Sequence, residues 1–133
     1  MNSLFDISED ELPIFLAETD DQIQVLDQGI VELEREQGNP ALLQAIFRAA
    51  HTLKGASGMV GHTRMVEITH ALENALDGVR KGTLDVSIAL VDLCLDAIDA
   101  IKLLRDEVVN NQVSQVDIQP LCERFAEIAN PQG

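Results

Sequence analysis

One segment decides how this chain is organised: Ala50-His51-Thr52-Leu53-Lys54-Gly55-Ala56-Ser57-Gly58. It lies in a stretch, residues 37–66, that contains no Asp or Glu, although the chain has 23 acidic residues and a formal net charge of -14. The basic and imidazole side chains of that stretch are Arg48, His51, Lys54, His62 and Arg64. Because carboxylates repel anions, this gap in an acidic chain predicts a site that meets negative charge.

The composition limits the class of protein. A chain of 133 residues fits a single domain, which we take as residues 1–133. Its apolar fraction is 46% with only four aromatic residues, all Phe, so aliphatic side chains must fill the core. The acidic balance argues against binding to nucleic acid or to anionic membranes. No segment is apolar enough to insert into a membrane, and the N-terminus lacks the basic region of a signal peptide, which predicts a cytoplasmic location.

The spacing of apolar residues predicts an all-α chain. Ser8 and Glu11 have the spacing of a capping box, and Asn39 followed by Pro40 is typical of a helix start. The predicted helices cover residues about 9–37, 40–60, 64–81, 87–109 and 118–129. We expect an up-down four-helix bundle with an additional C-terminal fifth helix. Residues 130–133 are interpreted as the start of a linker or the end of the expressed chain.

His51 is predicted to face solvent. On a helical wheel it falls outside the apolar stripe that contains Ala50 and Leu53. The following turn is predicted at residues 61–63, with Thr63 as the N-cap of the third helix and His62 as a loop residue without a role.

The second and third helices should form a hairpin that brings Glu73 to His51. His51 lies eleven residues before His62 and Glu73 eleven residues after it. At a rise of roughly 1.5 Å per residue, both lie about 16 Å from the turn. A carboxylate that accepts the Nδ1–H bond fixes the imidazole tautomer and leaves Nε2 as a nucleophile. Glu73 is therefore the predicted partner that orients His51.

Further residues are predicted to serve the same face. Lys54 lies one turn after His51 and can neutralise an incoming phosphoryl group. Gly55 and Gly58 also lie on that face, and each costs a helix about 1 kcal/mol relative to Ala, which suggests that larger side chains would obstruct a partner. Phe47 and Met59 are predicted to form an apolar rim of the same docking surface.

The segment from Phe47 to Gly58, with the later segment from Thr69 to Asp77, resembles the histidine phosphotransfer (HPt) domain. It is most similar to the N-terminal phosphotransfer domain of chemotaxis histidine kinases of the CheA family. By this resemblance His51 is the phosphoacceptor, Lys54 the lysine of the motif and Glu73 the glutamate that binds the imidazole. His70 corresponds to a second histidine of that network, and a role as an ordinary surface residue is the alternative.

The resemblance also implies partners. An ATP-dependent histidine kinase catalytic domain would phosphorylate His51, and the receiver domain of a response regulator would accept the phosphoryl group on an aspartate. The sequence has no Gly-rich phosphate loop and no Mg²⁺ ligand set. We therefore expect no cofactor in this domain, with Mg-ATP on the kinase domain and Mg²⁺ on the response regulator. We interpret the domain as a monomeric phosphoryl carrier and as a piece of a kinase, not as a catalyst itself.

Three alternatives stay open at this point. The chain fits a free-standing phosphorelay protein, a helical adaptor that binds a partner helix in a groove, or a metal-dependent bundle that uses His51, His70 and Glu73. The metal site is the weakest of these, since the residues are predicted to point outward. The sequence does not identify the signal, the kinase or the response regulator.

Overall fold

The computed structural model describes residues 3–129, and it contains five α-helices. They are α1 (Leu12–Arg35), α2 (Pro40–Met59), α3 (Thr63–Lys81), α4 (Ile88–Asn110) and α5 (Gln119–Ala129). Helix α1 contacts α2 and α4, and α3 contacts the same two helices, so the first four helices form a closed bundle. Helix α5 lies against α3 and α4. The predicted all-α bundle with a fifth helix is confirmed, and no strand forms within residues 3–129.

The predicted helix at residues 118–129 corresponds to α5, whereas the interpretation of residues 130–133 lies outside the described residues. Among residues 3–129, every helix is too short or too polar to cross a lipid bilayer.

The predicted capping box forms at Ser8 and Glu11, but regular helix begins a few residues later than predicted. The backbone N–H of Ser8 donates to Glu11 Oε1 at 2.9 Å, and the N–H of Glu11 donates to Ser8 Oγ at 3.2 Å. The residues between them form a turn, and regular helix begins at Leu12. The reciprocal cap therefore holds the chain that enters α1, and the helix starts later than predicted.

The two ends of the α2 and α3 hairpin have different caps. Asn39 caps α2 as predicted, because its Oδ1 accepts the N–H bonds of Ala41 and Leu42. The prediction that Thr63 caps α3 is wrong. His62 is the N-cap, and its Nδ1 accepts the N–H bond of Met65 at 3.3 Å, which leaves Thr63 as the first helical residue.

Aliphatic side chains fill the bundle, as the composition predicts. The largest fully buried ones come from the first four helices: Leu26, Ile30, Leu33, Ile46, Leu53, Met65, Ile68, Leu72, Leu76, Leu90, Ile98 and Ile101. Gly29 lets Ile46 of α2 pack against the backbone of α1, since a Cβ there would lie 2.2 Å from Ile46 Cγ2. This packing fixes the α2 and α3 faces that carry the site.

Candidate functional site

His51 lies on the outer face of α2, as its position on the helical wheel predicts. Its side chain is 64% exposed, whereas its neighbours Ala50 and Leu53 are fully buried. The bundle therefore holds the backbone of His51 rigidly and leaves the imidazole in solvent.

Glu73 on α3 contacts His51 directly across the hairpin. Its Oε2 forms a short hydrogen bond with Nδ1 of the imidazole, and its Oε1 accepts a hydrogen bond from Lys54 Nζ at 2.7 Å. Glu73 itself is buried, with 6% of its surface exposed. Burial raises the pKa of its carboxyl, but the hydrogen bonds from Lys54 and His51 outweigh burial and hold that pKa below its ordinary value. Glu73 is thus a fixed carboxylate against which the imidazole is oriented.

This contact determines which imidazole nitrogen is reactive. An ionised carboxylate only accepts hydrogen bonds, so Nδ1 carries the proton of a neutral His51 ring. The lone pair then resides on Nε2, which makes no hydrogen bond within residues 3–129. Such an imidazole is a nucleophile whose positive charge, once formed, faces a carboxylate.

Lys54 lies on the same face as predicted, but it has a partner that the sequence did not indicate. Its ammonium is bound to Glu73, and its side chain is 30% exposed. It therefore shares the carboxylate with His51 instead of standing free. Its contact with a phosphoryl group stays a prediction.

His70 does not join this group. It is an exposed residue of α3, and the described part of the chain gives it no hydrogen bond or ion pair with His51 or Glu73. The second oxygen of Glu73 is bound by Lys54.

The predicted docking residues differ in their exposure. Gly55 and Gly58 are exposed, and a Cβ at either position would meet no heavy atom within 4 Å. Met59 is 79% exposed. Phe47 is half-buried, because the Arg80 guanidinium lies 3.9 Å from the centre of its ring. The open face is present, and its use for docking stays a prediction.

Sequence reasoning missed Arg80, which binds Gln44 and Asp77 beside the ring of Phe47. A signal was available, because Gln44 and Arg80 are equally far from His62 in sequence, as His51 and Glu73 are.

His62 was also misjudged, since it is buried and has a carboxylate partner. Only 3% of its side chain is exposed, its ring stacks on Phe5, and its Nε2 lies 3.0 Å from Glu107 Oε1. The contact is close enough for an ion pair, although the N–H direction is poorly aligned for a hydrogen bond. Burial is the largest influence and lowers the pKa of His62, while Glu107 acts in the opposite direction. Sequence reasoning therefore mistook a buried cap for a loop residue.

The alternative metal site finds no support in the geometry. Within residues 3–129, no three or more His, Cys, Asp or Glu side chains come together as a set of metal ligands. His51 and Glu73 are in contact, but His70 does not complete a group with them.

Comparison with known proteins identifies relatives. The Hpt domain family matches residues 11–108 of the chain. The chemotaxis protein CheA of Bacillus subtilis (strain 168) is 33% identical over 114 residues, which are 86% of this chain. Those residues span only 17% of the length of that relative.

Two solved structures are similar to the whole bundle. The CheA phosphotransferase domain from Thermotoga maritima is 34% identical with a TM-score of 0.72, and the match covers 77% of this chain and 99% of that domain. The second is the phosphorylated P1 domain of CheA3 in complex with CheY6, from R. sphaeroides, which is 17% identical with a TM-score of 0.83. That match covers 95% of this chain and 100% of the P1 domain. The second likeness concerns the fold alone.

Proposed function

The chain belongs to the Hpt domain family, and from this we propose that it is the phosphotransfer domain of a CheA-type chemotaxis kinase, with His51 as its phosphoacceptor. The observation that carries the proposal is the exposed His51 imidazole, whose Nδ1 is bound to the buried carboxylate of Glu73. The geometry leaves Nε2 as the reactive nitrogen.

The first step is attack by Nε2 on the γ-phosphorus of ATP held by a kinase catalytic domain. The Nε2–P bond forms, the bond from phosphorus to the bridging oxygen breaks, and ADP leaves with that electron pair. Nδ1 keeps its proton, and Glu73 stabilises the positive charge that develops on the ring. The metal and the nucleotide belong to the partner, so this chain contributes an oriented nucleophile.

The second step returns the electron pair to Nε2. An aspartate oxygen of a response regulator attacks phosphorus, the N–P bond breaks, and the neutral Nδ1–H imidazole is restored. A phosphorylated P1 domain of CheA3 has been solved in complex with CheY6, and we propose a comparable complex of this chain with a response regulator. The open α2 face around Gly55 and Gly58 is the surface on which we place both partners.

The chain spans 17% of the length of its Bacillus subtilis CheA relative. We propose that a separate kinase catalytic domain binds ATP and phosphorylates His51. We propose that this domain needs no cofactor of its own, that Mg-ATP is bound by the kinase domain, and that Mg²⁺ is bound by the response regulator.

Intact mass spectrometry at alkaline pH tests the proposal. The chain is incubated with phosphoramidate, a small phosphoryl donor, and separately with a CheA-type kinase domain and Mg-ATP. We expect one phosphoryl adduct that acid removes, and no adduct on His51→Gln. His70→Gln is the matched control, since it removes another exposed histidine, and it should be phosphorylated normally. An acid-labile adduct on His51→Gln would overturn the assignment.

A further inference from the structure

A second row of contacts runs along the α2 and α3 hairpin beside the phosphoacceptor. On α2, Gln44, Phe47 and His51 follow one another at three- and four-residue steps and therefore share a face. On α3, Asp77 and Arg80 stand opposite them. The row ends at His51, yet none of the roles assigned above uses Arg80.

The Arg80 guanidinium is held in place from two sides. It donates to Gln44 Oε1 at 3.1 Å and to Asp77 Oδ1 at 2.6 Å. Asp77 is itself fixed by a second cation, because Lys81 Nζ lies 2.9 Å from its other oxygen. Two donor directions fix the plane of a guanidinium, which a single contact would not do.

This fixed guanidinium covers the ring of Phe47. The Arg80 carbon atom lies 3.9 Å from the centre of that ring, which is cation–π geometry. The ring of Phe47 in turn lies nearly parallel to the His51 imidazole, with 6.3 Å between centres and 15° between planes. The ring of Phe47 is thus stacked beside the imidazole.

One hydrogen bond to Glu73 leaves the imidazole free to pivot about its side-chain bonds. We propose that Arg80 is a positioning residue that holds Phe47 in place, so that Phe47 confines the His51 imidazole to the orientation in which Nδ1 meets Glu73. This inference deepens the proposed function and rests on it. The rate of attack on phosphorus depends on the fraction of time spent in that orientation, so loss of Arg80 should lower the rate without changing donor affinity.

The test measures phosphorylation of the full chain by phosphoramidate in Arg80→Ala. We expect the rate at saturating donor to fall about fivefold, the size of one surface cation–π contact, with KM unchanged. Lys81→Ala is the matched control, because it removes the same charge from the same helix while Gln44 and Asp77 still accept from Arg80. Its rate should equal that of the wild type.

A double-mutant cycle separates positioning from a direct charge effect on the donor. In a Phe47→Leu background, Arg80→Ala should cause no further loss, because the residue through which Arg80 acts is gone. Arg80→Lys should recover little of the rate, since an ammonium lacks the planar fork. Full recovery by lysine, or a fivefold loss that persists without Phe47, would overturn the proposal.

NMR of the His51 imidazole provides a second measurement. The ¹⁵N shifts of His51 report which nitrogen carries the proton, and Arg80→Ala should reduce the Nδ1–H form while Lys81→Ala leaves it unchanged. Wild-type rate and shifts in Arg80→Ala would overturn the inference and leave the proposed function intact. Absence of any adduct on the wild type would overturn the proposed function instead, and the shifts alone would then decide whether Arg80 orients the ring.

Discussion

Two histidine–glutamate pairs lie within residues 3–129, and each carboxylate also binds a cation. Lys54 binds Glu73, the partner of His51, and Arg64 binds Glu107, the partner of His62. The residue types nearly match, but the surroundings do not. The His51 side chain is 64% exposed and that of His62 is 3% exposed. The comparison shows how one set of side chains serves two purposes.

The two rings present opposite nitrogens to their carboxylates. His51 uses Nδ1, which leaves the Nε2 lone pair available. His62 uses Nε2, and its Nδ1 accepts the N–H bond of Met65. A neutral His62 therefore carries its proton on Nε2, and its only lone pair caps α3. The nitrogen that faces the carboxylate, together with exposure, determines whether such a pair presents a nucleophile.

Glu107 also has more partners than Glu73. Arg64 donates to both of its oxygens, and the backbone and hydroxyl of Ser114 donate to Oε2 at 2.8 and 2.6 Å. These contacts connect α3, α4 and the segment that leads to α5. The buried pair therefore holds together parts of the fold, whereas the exposed pair holds only a ring.

The largest expected effect comes from removing the buried carboxylate. Glu107→Ala should lower the free energy of unfolding by about 3 kcal/mol, because the buried His62 ring loses its partner and Arg64 and Ser114 lose their common acceptor. Urea unfolding measures the loss, and phosphorylation of the folded fraction should persist. A loss below about 1 kcal/mol would mean that the buried pair does not stabilise the fold.

Removing the carboxylate of the exposed pair should lower the rate of phosphorylation and leave the stability nearly unchanged. Glu73→Ala should slow phosphorylation of His51 about tenfold without abolishing it, because the ring loses its orientation and its counter-charge. Its stability should change by less than about 1 kcal/mol, since the released His51 and Lys54 side chains reach solvent. Phosphorylation kinetics and urea unfolding are measured on the same samples.

Glu73→Gln is the control, because its amide oxygen still accepts the Nδ1–H bond but carries no charge. Its rate should lie between those of the wild type and Glu73→Ala. An unchanged rate in Glu73→Ala would exclude Glu73 from the mechanism.

The sequence predicted what local periodicity and hairpin symmetry control. The exposure of His51 follows from the helical wheel, and its meeting with Glu73 follows from equal distances to the turn. Both arguments need only two neighbouring helices.

The remaining contacts depend on partners that these rules do not connect. Glu107 lies on α4, and no register links α4 to the turn that contains His62. The pairing of Lys54 with Glu73 was missed for another reason, because equal distance from His62 places Lys54 opposite His70 and not opposite Glu73. Tertiary packing determines these pairings, and the spacing of residues along the sequence does not.

A pH series distinguishes the two histidines further. The pKa of His62 is lowered in the folded state, chiefly by burial, so the unfolded chain binds its proton more readily. Stability should therefore fall as the pH decreases from about 7 through the lowered pKa, with a contribution to the slope of at most about 1.4 kcal/mol per pH unit. Protonation at Nδ1 would also remove the acceptor that caps α3.

His62→Asn is the variant for this series, because asparagine also caps helices and does not titrate. Its unfolding free energy should depend less on pH between about 7 and 5 than that of the wild type. An equal slope in both proteins would show that another group controls the acid sensitivity.

The smallest expected effect concerns the open face beside His51, where glycine lowers the stability of α2 relative to alanine. Gly55→Ala should raise the free energy of unfolding by about 0.5–1 kcal/mol, because the helix interior gains a better helix former and the new Cβ meets no atom within 4 Å. Gly29→Ala is the control of opposite sign, since its Cβ would clash with Ile46 on the buried side.

The functional counterpart of Gly55→Ala tests the docking surface. Phosphorylation by phosphoramidate should be unchanged, because a small donor does not need the α2 face. Transfer from a kinase domain should slow, because a protein partner must approach the backbone there. A protein partner must reach His51 across the surface of α2, whereas the buried pair of His62 and Glu107 needs no such access. If Gly55→Ala is more stable and accepts phosphoryl groups from the kinase domain at the wild-type rate, the glycine does not belong to the docking surface, and access to His51 does not explain its presence.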